Sequence, residues 1–342
     1  MALPTIYTYP TAHEIGTIEP EKLAVLTMND PLFDIMPIQN KDSHVVSWEQ
    51  RDNFTGLQAV RGLNGQPTRV KSVGGKRFTI EPGVYGEFKE IDEQELTTRR
   101  QWGTEGSVID IQDLVLEAQD HLLNRRIDRI RQIGWTLLTK GVFAVASEGG
   151  AIMHTDQFPI QRFVVAVAWT TTASSTPLAN FRGLKLLGRG RSTSFGSQAK
   201  AFMNQKTFND MIASTNANDI AGRRTTGLNS LIALNQAELN RVFLGEDLPQ
   251  VVIYDEGWTD EAGAFQLFIP DGYVVVVGTR PAGQPVGEYL MTRNVNNPGE
   301  APGAYTKVVD KAEDVPRSIK VHDGHNGGVA LYYPGAIVVM RV

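Results

Sequence analysis

The longest regular pattern in the chain is helical. From Ile111 through Leu114, Val115, Ala118, Leu122, Ile130, Ile133, Leu137 and Leu138, apolar residues recur at three- and four-residue spacing. Ser107-Val108-Ile109-Asp110 reads as a capping box in front of this stripe, and Gly141 stands where a C-terminal stop belongs. About thirty residues at 1.5 Å rise predict a helix on the order of 45 Å long. The opposite face carries Glu117, Asp120, Arg125, Arg126, Asp128, Arg129 and Arg131. That is the pattern of a solvated surface or of a face paired with another subunit.

Before this helix the periodicity fails twice, in different ways. Pro4, Pro10, Pro20, Pro31 and Pro37 interrupt residues 1–44, leaving one short helix around Glu21–Thr27 in an otherwise extended arm or plain tail. Residues 45–104 instead read as a long β-excursion. Strand-like Thr68–Lys71 and Arg77–Ile80 accompany the turn dipeptides Asn64-Gly65 and Gly74-Gly75. Charge is sorted along it: Arg51, Arg61, Arg69, Lys71, Lys76 and Arg77 come first, then Glu81, Glu87, Glu90, Asp92, Glu93 and Glu95. Few large apolar residues lie between Thr55 and Glu81, and a lone two-stranded ribbon is marginal in water. The excursion is therefore expected to lie on the chain's own body or on a neighbouring copy.

Beyond the helix, strand and helix patterns alternate. Phe163–Thr170 reads as a strand, Pro177–Leu187, Lys206–Ile212 and Asn235–Phe243 as helices, and Val251–Tyr254 and Tyr273–Val277 as short buried strands. Ile319–His322, Gly328–Tyr333 and Ala336–Val342 predict a small antiparallel sheet at the end. The fold class is α+β.

Composition narrows the chemistry. The 342 residues suffice for two or three modest domains. Lys and Arg number 33 against 38 Asp and Glu, a net charge of −5, so no basic excess argues for sequence-independent binding to nucleic-acid phosphates. With no cysteine, a disulfide scaffold, a thiolate nucleophile and Cys-based zinc or iron–sulfur sites are excluded. The N-terminus lacks the basic and apolar regions of a signal peptide, and no apolar run is long enough to span a bilayer, so an unexported, membrane-free chain is expected.

His322-Asp323-Gly324-His325 is the only close histidine pair, and its glycine-rich setting reads as a polar hairpin turn rather than a metal site. Gly183–Ser192 looks superficially like a phosphate loop but lacks the Gly-Lys-Ser/Thr ending, so a mobile surface loop is expected, with phosphate or nucleic-acid contact as the alternative. No Gly-x-Ser-x-Gly elbow is present, and the acidic pairs Asp255-Glu256 and Asp260-Glu261 sit on turns. No catalytic, cofactor or metal residue is expected.

Three stretches add to the order of elements. Arg69-Val70-Lys71-Ser72-Val73-Gly74-Gly75, Glu81-Pro82-Gly83-Val84-Tyr85 and Arg99-Arg100 mark the excursion; Arg125-Arg126-Ile127 and Leu137–Gly141 mark the helix; Phe268–Tyr273 and Tyr332-Tyr333-Pro334-Gly335 mark the later strands. In these the chain resembles the major capsid proteins of tailed bacteriophages, the group typified by the phage lambda major capsid protein. The resemblance implies an N-terminal arm (1–44), an extended β-loop (45–104), a peripheral domain with a spine helix (105–170), an axial domain (171–310) and peripheral C-terminal strands (311–342). It also implies a structural protein, not an enzyme, forming hexamers and pentamers of an icosahedral shell around double-stranded DNA held without sequence-specific binding.

The loop would reach over a neighbour, with Arg69, Lys71, Gly74, Gly75, Lys76, Arg77, Glu81 and Glu87 as expected intersubunit contacts. The short arm implies a separate scaffolding protein beside a portal, and a decoration protein stays open. Synthesis and assembly in the host cytoplasm and residence in the virion capsid follow from the same resemblance. Lys71, Lys76 and Asn326 are present, but no placed Glu supports an isopeptide crosslink. Two alternatives stay open: an encapsulin-like compartment shell of the same fold, and a soluble α/β hydrolase.

Overall fold

The computed structural model describes residues 22–51, 57–67, 69, 75–98, 111–146, 152–190, 193–214, 235–260, 262–279, 284–311 and 313–342. They fall into two compact units. The first takes its residues from 1–46, 80–134 and 288–329, the second from 47–79, 135–287 and 330–342. Elements are numbered along the chain.

The first unit opens with α1 (residues 22–28), α2 (Pro31–Ile35) and β1 (Ile38–Asn40). Asp30 caps α2 by accepting the Leu32 N–H at 2.9 Å, and Pro31 takes the first helical position, where a missing N–H leaves nothing unsatisfied. This proline starts a helix, where the sequence reading has the prolines of residues 1–44 as breakers. Leu32, Ile35 and Met36 are buried as a result, so residues 22–40 are folded rather than extended.

After β2 (Val46–Arg51) and β3 (Gly75–Ile80) come β4 (Gly83–Ile91), α3 (Glu93–Thr98) and the 30-residue α4 (Ile111–Lys140). The predicted cap at Ser107–Asp110 lies outside the described residues. Leu114, Val115, Ala118 and Leu122 of α4 pack on Ile91 of β4 and on Ile319 and Val321 of a later strand. The helix stops at Gly141 as its position predicts. The residue is left-handed (φ +71°), its N–H reaches Leu137 O at 2.8 Å, and a Cβ there would sit 2.8 Å from Ile160.

The sheet of the first unit runs β1–β13–β15–β14, with β4 also on β15; here β13 is Gly287–Met291, β14 Ala304–Asp310 and β15 Ile319–Leu331. β15 is the axis of this sheet. It pairs antiparallel with β14 from Ile319↔Asp310 to His325↔Ala304, and with β4 from Ile319↔Ile91 to Gly327↔Gly83. The expected hairpin turn at His322–His325 is therefore continuous strand. Its glycines make room for rings instead of turning the chain. A Cβ on Gly324 would lie 2.7 Å from the Tyr305 hydroxyl, and one on Gly327 would lie 2.8 Å from that of Tyr289.

In the second unit, β2 pairs with β3, and Trp48 stacks between Phe78 and Phe158 at 5.5 and 6.0 Å. A hairpin of β5 (Val142–Ala146) and β6 (Ile152–Gln157) follows α4. The strand expected over Phe163–Thr170 is only β7, Gln161–Val164. Beyond it, turns closed by Thr171 N–H to Ala168 O and Ser175 N–H to Thr171 O, both 3.0 Å, drop Trp169 into the core.

Then come α5 (Pro177–Leu187), β8 (Lys200–Met203), α6 (Gln205–Ile212), α7 (Gln236–Gly245), β9 (Gln250–Ile253), the hairpin β10 (Gly257–Thr259) and β11 (Phe265–Leu267), and β12 (Tyr273–Val277). Asn204 and Asn235 cap α6 and α7 by accepting the N–H groups of Thr207 and Glu238. With β16 (Ile337–Arg341) the second sheet is ordered β7–β16–β12–β8–β9. Trp169, Phe181, Phe195, Val274, Val276, Val338 and Met340 belong to its core.

The three C-terminal runs thus do not form one small sheet. The first two merge into β15, and the third, apolar from Ala336 to Met340, is claimed by the second unit. At the sheet's edge, Asn240 of α7 donates to Val251 O (2.8 Å) and accepts Val251 N–H (2.7 Å), occupying the rim of β9.

Candidate assembly surface

Polar groups concentrate beneath β15. Arg126 of α4 and Asp323 of β15 form an ion pair at 2.7 Å with side chains only 3% and 8% exposed, and Thr306 donates to the same carboxylate oxygen at 3.1 Å. Two residues along, His325 is fully buried, 2.9 Å from the Tyr289 hydroxyl and stacked on Tyr85 at 5.1 Å. Burial first, then the charges of Arg126 and Arg129, hold the His325 pKa down to about 3, so the ring is neutral. Burial likewise pushes the Tyr85 phenol up to about 12.

The ion pair and the Tyr289–His325 contact seat β15 on α4, while the buried Tyr85 hydroxyl has no hydrogen-bond partner among the described residues. Among the described residues no group of three or more His, Asp or Glu is placed to hold a metal ion.

The expected contact residues divide between the units. Glu81, exposed, links β3 to β4, and Glu87 is on β4 in the first unit. The Glu87 carboxylate receives both Nε (2.5 Å) and Nη2 (3.0 Å) of Arg125 from the chain's own α4. That hydrogen bond, opposed by partial burial, holds its pKa below the usual carboxylate range. Nearby, Lys320 lies over the Phe88 ring at 4.9 Å and 3.4 Å from Glu90. The acidic limb therefore lies on its own body.

Arg69, Gly75, Lys76 and Arg77 belong to the second unit, the last three on β3, and the side chains of Arg69, Lys76 and Arg77 are exposed. Lys71 and Gly74 lie outside the described residues, as do Val70, Arg99 and Arg100.

Residues that the charge-led reading passed over are the most conspicuous. Leu57, Val60 and Leu63 are 101%, 98% and 101% exposed, three large aliphatic side chains within seven residues. Covering each is worth about 1.5–3 kcal/mol. The turn that carries Leu63 is held locally, by Gly65 N–H to Gly62 O at 3.0 Å and Arg61 Nη1 to Gly65 O at 3.3 Å. Their signal in the sequence is weak: apolar residues too sparse for a strand or a helix, between glycines.

Residues 28–322 match the family model of the phage major capsid protein E. The chain belongs to that family. Solved structures agree on the fold. A crystal structure of a prophage protein from E. coli CFT073, assigned as a capsid protein, superposes with a TM-score of 0.56 at 13% identity, covering 95% of this chain and 98% of that one. A phage-related protein from Bordetella bronchiseptica RB50 gives 0.54 at 9% identity over 94% and 96%. The capsid of Myoviridae phage XM1 gives 0.52 at 11% over 89% and 88%. No curated protein matches by sequence.

The fold is the α+β fold of tailed-phage capsid proteins. This capsid protein is a structural component of the virion shell that associates with copies of itself, and it is not an enzyme. Among the described residues, no helix is long and apolar enough to cross a membrane.

Proposed function

We propose that the capsid protein forms hexamers and pentamers of an icosahedral shell enclosing double-stranded DNA, and that residues 45–80 reach a neighbouring copy. The observation that carries this reading is the complete exposure of Leu57, Val60 and Leu63 beside a ribbon whose root is packed by Trp48. A folded chain that leaves such side chains in water has a partner for them. Arg69, Lys71, Lys76 and Arg77 then meet acidic groups of the neighbour, and Glu81 and Glu87 close the base of the ribbon. Opposite charges there select partner and register more than they add affinity.

In this reading residues 1–44 are the arm, 45–104 the extended loop, 105–170 and 311–342 the peripheral domain and 171–310 the axial domain. A separate scaffolding protein and a portal take part, with a decoration protein as an optional addition, and assembly occurs in the host cytoplasm. A net charge of −5 suits a container that does not grip its DNA. Deleting residues 57–67 is the test. The expected result is a monomer with an unchanged denaturation midpoint and no shells in electron micrographs of the chain co-expressed with its scaffold. Normal particles from the deletion would overturn the reading.

A further inference from the structure

The sequence contains two Asn-Gly dipeptides, Asn64-Gly65 and Asn326-Gly327, and the fold treats them in opposite ways. Asn-Gly is the pair in which a main-chain nitrogen meets least obstruction in reaching the preceding side-chain carbonyl, because glycine has no Cβ. In Asn326-Gly327 both groups are held. Asn326 Nδ2 donates to Arg293 O at 2.9 Å, its Oδ1 accepts from Asn294 Nδ2 at 3.2 Å, and the dipeptide pairs with Val84 and Gly83 of β4 inside the first sheet. Asn64 and Gly65 are both exposed, and the Asn64 carboxamide has no hydrogen-bond partner among the described residues. The Gly65 N–H reaches only Gly62 O, at 3.0 Å, in a surface turn. A Cβ on Gly65 would come no closer than 3.4 Å to Gly62, so the turn is uncrowded.

We propose that Asn64 is a site of spontaneous covalent modification, deamidating through a cyclic succinimide, while the sheet protects Asn326. The Gly65 nitrogen attacks Asn64 Cγ and the new N–Cγ bond closes the ring. The Cγ–Nδ2 bond breaks, and Nδ2 leaves as ammonia, taking up the proton that the Gly65 nitrogen gives away. Water then opens the ring, its hydroxyl going to a carbonyl carbon and its proton back to the nitrogen. Opening at the side-chain carbonyl leaves aspartate at position 64; opening at the main-chain carbonyl leaves isoaspartate, with one more methylene in the backbone. No reactant but water is consumed. Arg61 is the only charged residue from 57 to 67, so the new carboxylate cancels the charge of this turn. The reaction needs only the folded, unassembled chain and does not depend on where the loop docks.

The test incubates the full chain, purified without its scaffold, both folded and unfolded in urea, and then cuts it with trypsin. Peptides 62–69 and 321–341 report the two sites. Deamidation shows as the mass gain of an amide-to-acid change and as separated aspartyl and isoaspartyl forms. The expected result is a folded-state rate at Asn64 within about tenfold of its unfolded rate. At Asn326 the folded-state rate should be at least about a hundredfold below its unfolded rate, since a paired strand reacts only from rare opened states. Gly65→Ala, whose Cβ the turn accommodates, should slow the reaction at Asn64 severalfold in folded and unfolded chain alike. A folded-state rate at Asn64 more than about tenfold below the unfolded one overturns the proposal. So does an Asn326 that reacts as readily as Asn64 in the folded chain. An undiminished rate in Gly65→Ala would overturn the cyclic route.

Discussion

The central strands of the two units are buried by opposite means. β12 offers Val274, Val275, Val276 and Val277, all buried between β8 and β16, and these side chains need nothing but contact. β15 carries His322, Asp323, Gly324, His325 and Asn326 through the middle of a sheet, and its burial depends on Arg126, Thr306 and Tyr289 being in place. Apolar packing tolerates substitution of similar volume. A buried ion pair tolerates loss of neither partner alone. The first kind of core supplies adhesion; the second fixes which turn of α4 faces which residue of β15.

Rescue separates the two. Phe181→Ala in the second core should cost about 3–5 kcal/mol, measured by urea denaturation. Arg126→Met should cost a similar ~3–5 kcal/mol, because it takes the guanidinium away from the buried Asp323 carboxylate. Adding Asp323→Leu to Arg126→Met should recover most of that loss. A double variant as unstable as the single one would show that the pair is not what distinguishes the first unit.

A smaller effect sharpens the contrast through pH. His325 faces Arg126 and Arg129 of α4, Tyr85 of β4 and Tyr289 of β13, and its pKa falls from 6.5 to about 3 on folding. As pH drops through 6.5 the unfolded chain takes up a proton that the folded chain refuses, so stability is present above that value and declines down to about pH 3. The slope is at most about 1.4 kcal/mol per pH unit. His325→Gln retains a hydrogen-bonding group for Tyr289 and should flatten this decline between pH 6.5 and 4. An unchanged slope would place the acid sensitivity elsewhere.

The smallest effect on the isolated chain belongs to the region packed by neither means. Replacing Leu57, Val60 and Leu63 together by Ser should move monomer stability by no more than about 0.5 kcal/mol, while the yield of particles collapses. A loss of monomer stability as large as that of Phe181→Ala would mean that these side chains already have a partner in the chain.

What could be read from the sequence follows the same division. α4 and β12 were legible because an apolar stripe and a valine run each state their own burial. β15 was not, because glycine, aspartate and histidine are turn formers until Tyr305, Tyr85 and Tyr289 are known to lie against them. Pro31 misled for a related reason: its role depends on the Asp30 cap in front of it. At the candidate surface the sorting of charge was visible in the sequence. That Glu87 is held by Arg125 of its own helix was not, since 38 residues separate them. The exposed aliphatics of 57–63 were too few to form a pattern, and only the surrounding emptiness reveals them.

The amide of Asn240 bears on how such a chain survives its own abundance. A phage-infected cell fills with identical copies, and any bare strand rim is an invitation to fibre growth, since backbone pairing is indifferent to sequence. By giving Val251 a counterfeit neighbour, α7 takes one such rim out of circulation. That rim is then closed to backbone-paired growth, which would extend as an endless ribbon rather than close into a finite cage.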